Sequence, residues 1–118
     1  MEPSDLASNI LGKLKAELSG DLNKIDAFFR ARVENLCGLA VALGRERREG
    51  FLKDDDAAFE EELEYLRKGA HLLARDVTTM VLIEAEKAWN AVVSEIWDAL
   101  NSIIGAASPL PVPIRPAP

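Results

Sequence analysis

At 118 residues the chain has room for one domain with a single core. Apolar residues make up 48% and charged residues 29%, which excludes a globally disordered chain. The net charge of −6 speaks against general nucleic-acid binding, where neutralising phosphate supplies most of the affinity.

The first predicted element opens at Pro3-Ser4-Asp5, where Ser4 or Asp5 can cap the free amides of a helix. Leu6, Ile10, Leu14 and Leu18 then recur at spacing four, one face of a helix. Ser19-Gly20-Asp21 interrupts. Gly20 either ends this helix, with Asp21 capping the next, or sits inside a continuous one at a cost of about 1 kcal/mol. Beyond it Leu22, Ile25, Phe29, Leu36, Leu39 and Leu43 take heptad-like positions, and Phe28, Val33 and Ala40 widen the stripe. Arg32 is the polar exception on that seam.

Arg45, Arg47 and Arg48 crowd the end of this helix, where the carbonyl pole favours cations, and Gly50 suits a left-handed cap. Asp54-Asp55-Asp56 places carboxylates at the opening of the next helix. That helix carries Phe59, Leu63, Leu66, Ala70, Leu73, Val77 and Met80 at alternating spacings of four and three, a close-packed seam. Trp89, Val92, Ile96, Leu100 and Ile103 continue it toward Gly105, and nothing between 55 and 104 demands a break. The predicted fold is therefore all-α. Residues 4–104 form a long antiparallel hairpin, roughly 70 Å at 1.5 Å per residue, or a three-helix arrangement broken at Gly20. Residues 105–118 form an extended proline-rich tail.

The last helix carries more apolar surface than a two-helix hairpin can bury. Met80-Val81-Leu82-Ile83 is apolar on every side, and Trp89, Val93, Ile96, Trp97, Leu100 and Ile104 cover more than one stripe. These residues are the expected self-association face. The two tryptophans lie about 80° apart around the helix, which suits either a core or an anchored contact with another subunit. The lone Cys37 forms no internal disulfide. It is either a packed core residue or a bridge between two copies.

Five of the six prolines (Pro109, Pro111, Pro113, Pro116 and Pro118) fall in the last ten residues. They favour an extended polyproline II course, and Leu110, Val112 and Ile114 make it apolar. Such a strap suits docking along a neighbouring chain, while Pro113-Ile114-Arg115-Pro116 also fits the loose Pro-x-x-Pro pattern read by adaptor domains.

Catalytic and metal chemistry find no support. His71 is the only histidine, with Lys68 where a di-metal bundle needs Glu, so it reads as a surface or interface side chain. Counting a calcium loop from Asp54 puts Ala58, Phe59 and Tyr65 at its fifth, sixth and twelfth positions, and the motif fails. Glu60-Glu61-Glu62 and Glu64 read as a solvated face, with Lys68 four residues after Glu64 for an ion pair. Glu84 lies on the apolar seam and invites pairing with Arg32. No cofactor is expected.

The opening MEPSDLASN is unlike a secretory signal, and no apolar run approaches the ~20 residues of a membrane span. An acidic chain is also a poor ligand for anionic lipid surfaces. The reading is a non-enzymatic structural subunit made in the cytoplasm. It packs with copies of itself or with other subunits and straps a neighbour with its tail. Small acidic helical proteins with strap-like ends suit multi-subunit particles such as viral or phage virions, by analogy alone. The alternative is a regulatory adaptor whose tail presents Pro-x-x-Pro to a partner.

Overall fold

A computed structural model of the chain describes residues 2–17, 27–80, 84–105 and 110–113. The expectations at Leu18, Gly20, Asp21, Leu22, Ile25, Val81, Leu82, Ile83, Pro109, Ile114 and Pro116 lie outside these residues, as do the side chains of Phe28 and Met80. Among the described residues all regular structure is helical: α1 (Pro3–Glu17), α2 (Ala27–Glu49), α3 (Asp56–Met80), α4 (Ala85–Trp89), a π-helical turn (Asn90–Ser94) and α5 (Glu95–Ile104). The last three follow one another without interruption and form a final arm.

Glu2 opens α1. Its backbone N–H donates to Asp5 Oδ2 (3.4 Å) and its carbonyl accepts from the amides of Asp5 and Leu6. Glu2 is thus the cap, Pro3 takes the first helical position where its missing N–H loses nothing, and Asp5 closes half a capping box. The cap lies two to three residues earlier than Ser4 or Asp5. Leu6, Ile10 and Leu14 are fully buried.

α2 and α3 are joined by residues 50–55 and run antiparallel, with Arg32 paired to Asp76 and Leu36 against Gly69 at one level and Arg47 paired to Asp56 at another. Asp55 caps α3: its Oδ1 accepts from the Ala58 amide (3.0 Å) and its carbonyl from the Phe59 amide (3.0 Å). Arg47 clasps the turn. It donates to the Leu52 carbonyl (2.8 Å) and to Asp56 Oδ1 (2.7 Å), and its guanidinium lies 4.5 Å from the centre of the Phe59 ring. Gly50 is not left-handed. A side chain there would collide with Glu46, whose Oε2 accepts from the Phe51 amide (2.9 Å). Glycine serves by absence of bulk.

The continuous 55–104 helix does not form. α3 ends at Met80, and Glu84 stands extended (φ −63°, ψ 141°) before α4. Thr78 and Thr79 turn their hydroxyls back to the carbonyls of Arg75 (2.6 Å) and Asp76 (2.8 Å), occupying acceptors in the last turn. The molecule accordingly measures 44 × 30 × 22 Å, far short of the predicted hairpin's length.

The arm instead folds back beside α2. α2 packs on α1, α3 and α5, and the arm touches α1, α2 and α3, so these two elements form the centre and α1 and α3 flank them. Gly44 lets α2 and α5 approach closely, since a Cβ there would lie 2.9 Å from Ile103 Cγ2. At the same end Arg48 donates to the Ile103 carbonyl (3.5 Å), so α2 and the arm run parallel. Arg45 pairs with Glu2 (3.2 Å), and Lys13 pairs with Glu95. Chain direction therefore alternates through α1, α2, α3 and the arm, an up-down-up-down bundle.

α3 buries Phe59, Leu63, Leu66, Ala70, Leu73 and Val77, the seam marked by its spacing. Gly105 ends the arm in the left-handed conformation (φ 65°), its amide donating to the Asn101 carbonyl (2.9 Å).

Candidate functional site

Of the residues predicted to form a self-association face, those the structure describes from Trp89 onward pack on the core of the chain itself. Trp89, Val93, Ile96, Trp97 and Leu100 are all buried, Ile96 and Leu100 completely, and Ile104 is half-buried against them. The excess of apolar surface is real, but the fold-back of the arm absorbs it. The π turn widens the buried arc, so that Ala88, Trp89, Ala91, Val92 and Val93 are all covered.

Cys37 is buried without exposed surface, and burial, aided by the nearby charge of Glu34, pushes its thiol up to about 12. The packed-core reading of Cys37 is the one its burial matches; a bridge between copies would need this sulfur outside the core. Glu84 is exposed at the start of α4 and does not meet Arg32, which pairs with Asp76 of α3 (2.8 Å). His71 packs edge-on to Trp89, ring centres 5.6 Å apart and planes at 82°. Glu64 pairs with Arg67.

The described part of the tail lies on its own chain. Asn101 grips Leu110 by both backbone groups: Oδ1 accepts from the Leu110 amide (2.7 Å) and Nδ2 donates to its carbonyl (2.9 Å). Trp89 Nε1 donates to the Pro113 carbonyl (2.9 Å). The Leu110 side chain packs on the core, whereas Pro111 and Val112 face solvent. Residues 110–113 thus run back along the arm, against its direction. They lie against their own bundle, with Asn101 and Trp89 as their polar anchors. Asn101 had no signal in the sequence, being one amide in a helix, and Trp89 reads there as an apolar residue whose indole N–H needs a partner.

A second surface lies on the outer side of α2 and α3. Among the described residues of the bundle, four large apolar side chains stand exposed: Leu39 is 47% exposed, Leu72 43%, Tyr65 66% and Phe51 91%. Leu39 and Leu72 face one another across a shallow groove floored by Leu36, Gly69 and Leu73 and bounded by Arg32 and Asn35. Leu39 also borders a second groove toward the turn, shared with Ala42, Phe51, Glu46 and Glu62. Tyr65 lies one heptad before Leu72 on α3. Arg32, already paired with Asp76, borders one end of the strip, and Glu46 and Glu62 border the other. Its sequence signal is ambiguous: Leu39 fits the seam of α2, but α2 buries Phe29, Val33, Leu36, Cys37, Ala40, Val41, Leu43 and Gly44 and leaves Leu39 outside.

Among the described residues no three His, Cys, Asp or Glu side chains gather as a metal-binding group, and no helix is long and apolar enough to cross a membrane. Two further open grooves are lined by Lys13, Lys87 and Asn90 and by Glu64, Arg67, Lys68, His71 and Leu72. Comparison with protein-family models, with curated proteins and with solved structures finds no match.

Proposed function

We propose that the chain is a non-enzymatic assembly subunit that pairs with a second copy of itself through the outer face of α2 and α3. One observation carries this reading: among the described residues of the bundle, the large apolar side chains left exposed are Leu39, Leu72, Tyr65 and Phe51, on α2, α3 and the turn between them. An apolar strip of this kind with a charged rim is the anatomy of an association surface. The apolar strip supports a copy of the same chain as the partner, since a two-fold axis across it sets the Leu39 and Leu72 groove of one copy against that of the other. Membership of a larger particle, such as a virion, belongs to the same proposal. In such a particle the Val112 side of the tail, also exposed, is available to further subunits.

Sedimentation equilibrium of the wild type beside Leu39→Glu and Leu72→Glu tests the pairing. The wild type is expected to be a dimer at micromolar concentration. Each variant is expected to be a monomer with unchanged helical circular dichroism, since a buried unpaired carboxylate opposes association. A wild type that stays monomeric at high micromolar concentration, or variants that dimerise as well as it does, would overturn the reading.

A further inference from the structure

We infer that the groove along the final arm is a binding site for an extended Leu-Pro-x-Pro segment, and that in assembled protein its occupant is the tail of a second copy. The inference concerns a different surface from the α2–α3 strip and does not depend on it. The groove reads main chain. Asn101 satisfies both the amide and the carbonyl of Leu110, and the indole of Trp89 reaches the carbonyl of Pro113. Between these anchors Pro111 and Pro113 bring no N–H, so the amide of Val112 is the segment's one remaining donor, beside a side chain open to solvent. An extended proline-containing course keeps its carbonyls free of internal hydrogen bonds, and these two polar side chains are spaced to meet them. Leu110, packed on the core, supplies the apolar contact.

Both anchors sit on the packed arm. Trp89 is buried and held edge-on by His71, and Asn101 projects from the last turn of a helix whose neighbours Leu100 and Ile104 are anchored in the core. Nothing in this set of contacts distinguishes the chain's own tail from the same segment of another molecule. Every copy carries both the groove and its ligand. A tethered ligand acts at an effective concentration of about 1 mM, so the isolated chain keeps its own tail. Where copies are concentrated against each other, as in an assembly, tails exchange and each groove is filled from a neighbour.

The test uses the full chain with Leu110→Asp, which disables its own tail and leaves the groove intact. The probe is a fluorescein-labelled peptide of sequence ASPLPVPIRPAP, followed by anisotropy. Saturable binding to Leu110→Asp is expected, at least tenfold weaker apparent binding to the wild type, whose own tail competes, and at least tenfold weaker binding to the Asn101→Ala/Leu110→Asp double variant. Absence of saturable binding to Leu110→Asp, equal binding to all three proteins, or equal binding of a scrambled peptide would overturn the site. Leu110→Ser serves as a second tail-disabled variant, judged by circular dichroism. Exchange between copies is then read by mixing full-length Leu110→Asp with full-length Asn101→Ala, both carrying Leu72→Glu to silence the other surface. A one-to-one complex that neither forms alone is expected; two unmixed monomers would exclude a neighbour's tail as the occupant.

Discussion

Replacing Arg47 by Ala removes three interactions at once from the turn between α2 and α3. The hydrogen bond from the guanidinium to the Leu52 carbonyl (2.8 Å) has a charged donor and is worth about 1.5–3 kcal/mol. The ion pair with Asp56 adds less, about 0.2–1 kcal/mol, because the Asp56 side chain is 88% exposed and well screened. The contact over the Phe59 ring, at 4.5 Å, contributes about 0.5–1 kcal/mol. These terms share one side chain and do not add fully, so Arg47→Ala is expected to destabilise by about 2–3 kcal/mol. In a urea titration followed by circular dichroism, that loss lowers the midpoint by roughly 1–2 M with the slope unchanged. Asp56→Ala is expected to lose under 1 kcal/mol, and Arg47→Lys to recover the charge but not the forked geometry. A midpoint shift below about 0.3 M for Arg47→Ala, or an Asp56→Ala loss as large as that of Arg47→Ala, would refute this account of the clasp.

Two further predictions concern glycines and the buried thiol. Gly12→Ala on the exposed side of α1 meets nothing within 4 Å and is expected to raise stability by about 0.5–1 kcal/mol, whereas Gly44→Ala drives a Cβ to 2.9 Å from Ile103 Cγ2 and is expected to lower it by about 1 kcal/mol despite the same gain in propensity; thermal melts of both variants check the opposite signs. Cys37 is expected to resist a thiol-directed disulfide reagent in the native protein and to react on denaturation. Its thiol ionises near its ordinary value of 9.0 when unfolded but only at about 12 when folded, so the folded state holds the proton between those values. Stability therefore falls as pH rises from 9 toward 12, and the difference between wild type and Cys37→Ala should shrink over that window. A pH-independent difference in urea midpoint would contradict the burial of the thiol.

Much of the bundle is legible in local chemistry. The acidic opening at Asp55, the basic end of α2 and the seam from Phe59 to Val77 each depend on interactions within a few residues, which sequence spacing records directly. What spacing does not record is how far the chain doubles back. The residues before Glu84 hold no glycine or proline from Ala70 onward, so no breaker announces the end of α3. The two threonines that bond back onto their own helix read only as weak helix formers. Once the arm folds beside α2, Trp97, Ile96 and Leu100 become interior, and an apolar excess that suggested a second molecule is met within one. The same tertiary arrangement gives α2 neighbours on several sides and turns Leu39, by pattern a seam residue, out to solvent. The candidate groove was half legible. The prolines point to a tail that docks, and residues 110–113 lie on the arm, but the Asn101 clamp joins two positions whose relation only the folded arm creates.

The π turn at Asn90–Ser94 acts as a vernier between the two ends of the arm. A π turn holds one residue more than the α-helix it interrupts, and each residue of an α-helix turns the next by about 100°. Regularising this segment into ordinary helix without changing its length would rotate everything after it by about that angle relative to Trp89, whereas removing the extra residue would leave the two ends nearly in phase. Asn101 and Trp89, the two polar contacts of the tail, lie on opposite sides of the turn, so their alignment along one side of the arm is set by that single extra residue. A change that turns this segment into regular helix at constant length thus acts as a phase change, leaving helix content intact while uncoupling the two halves of the groove.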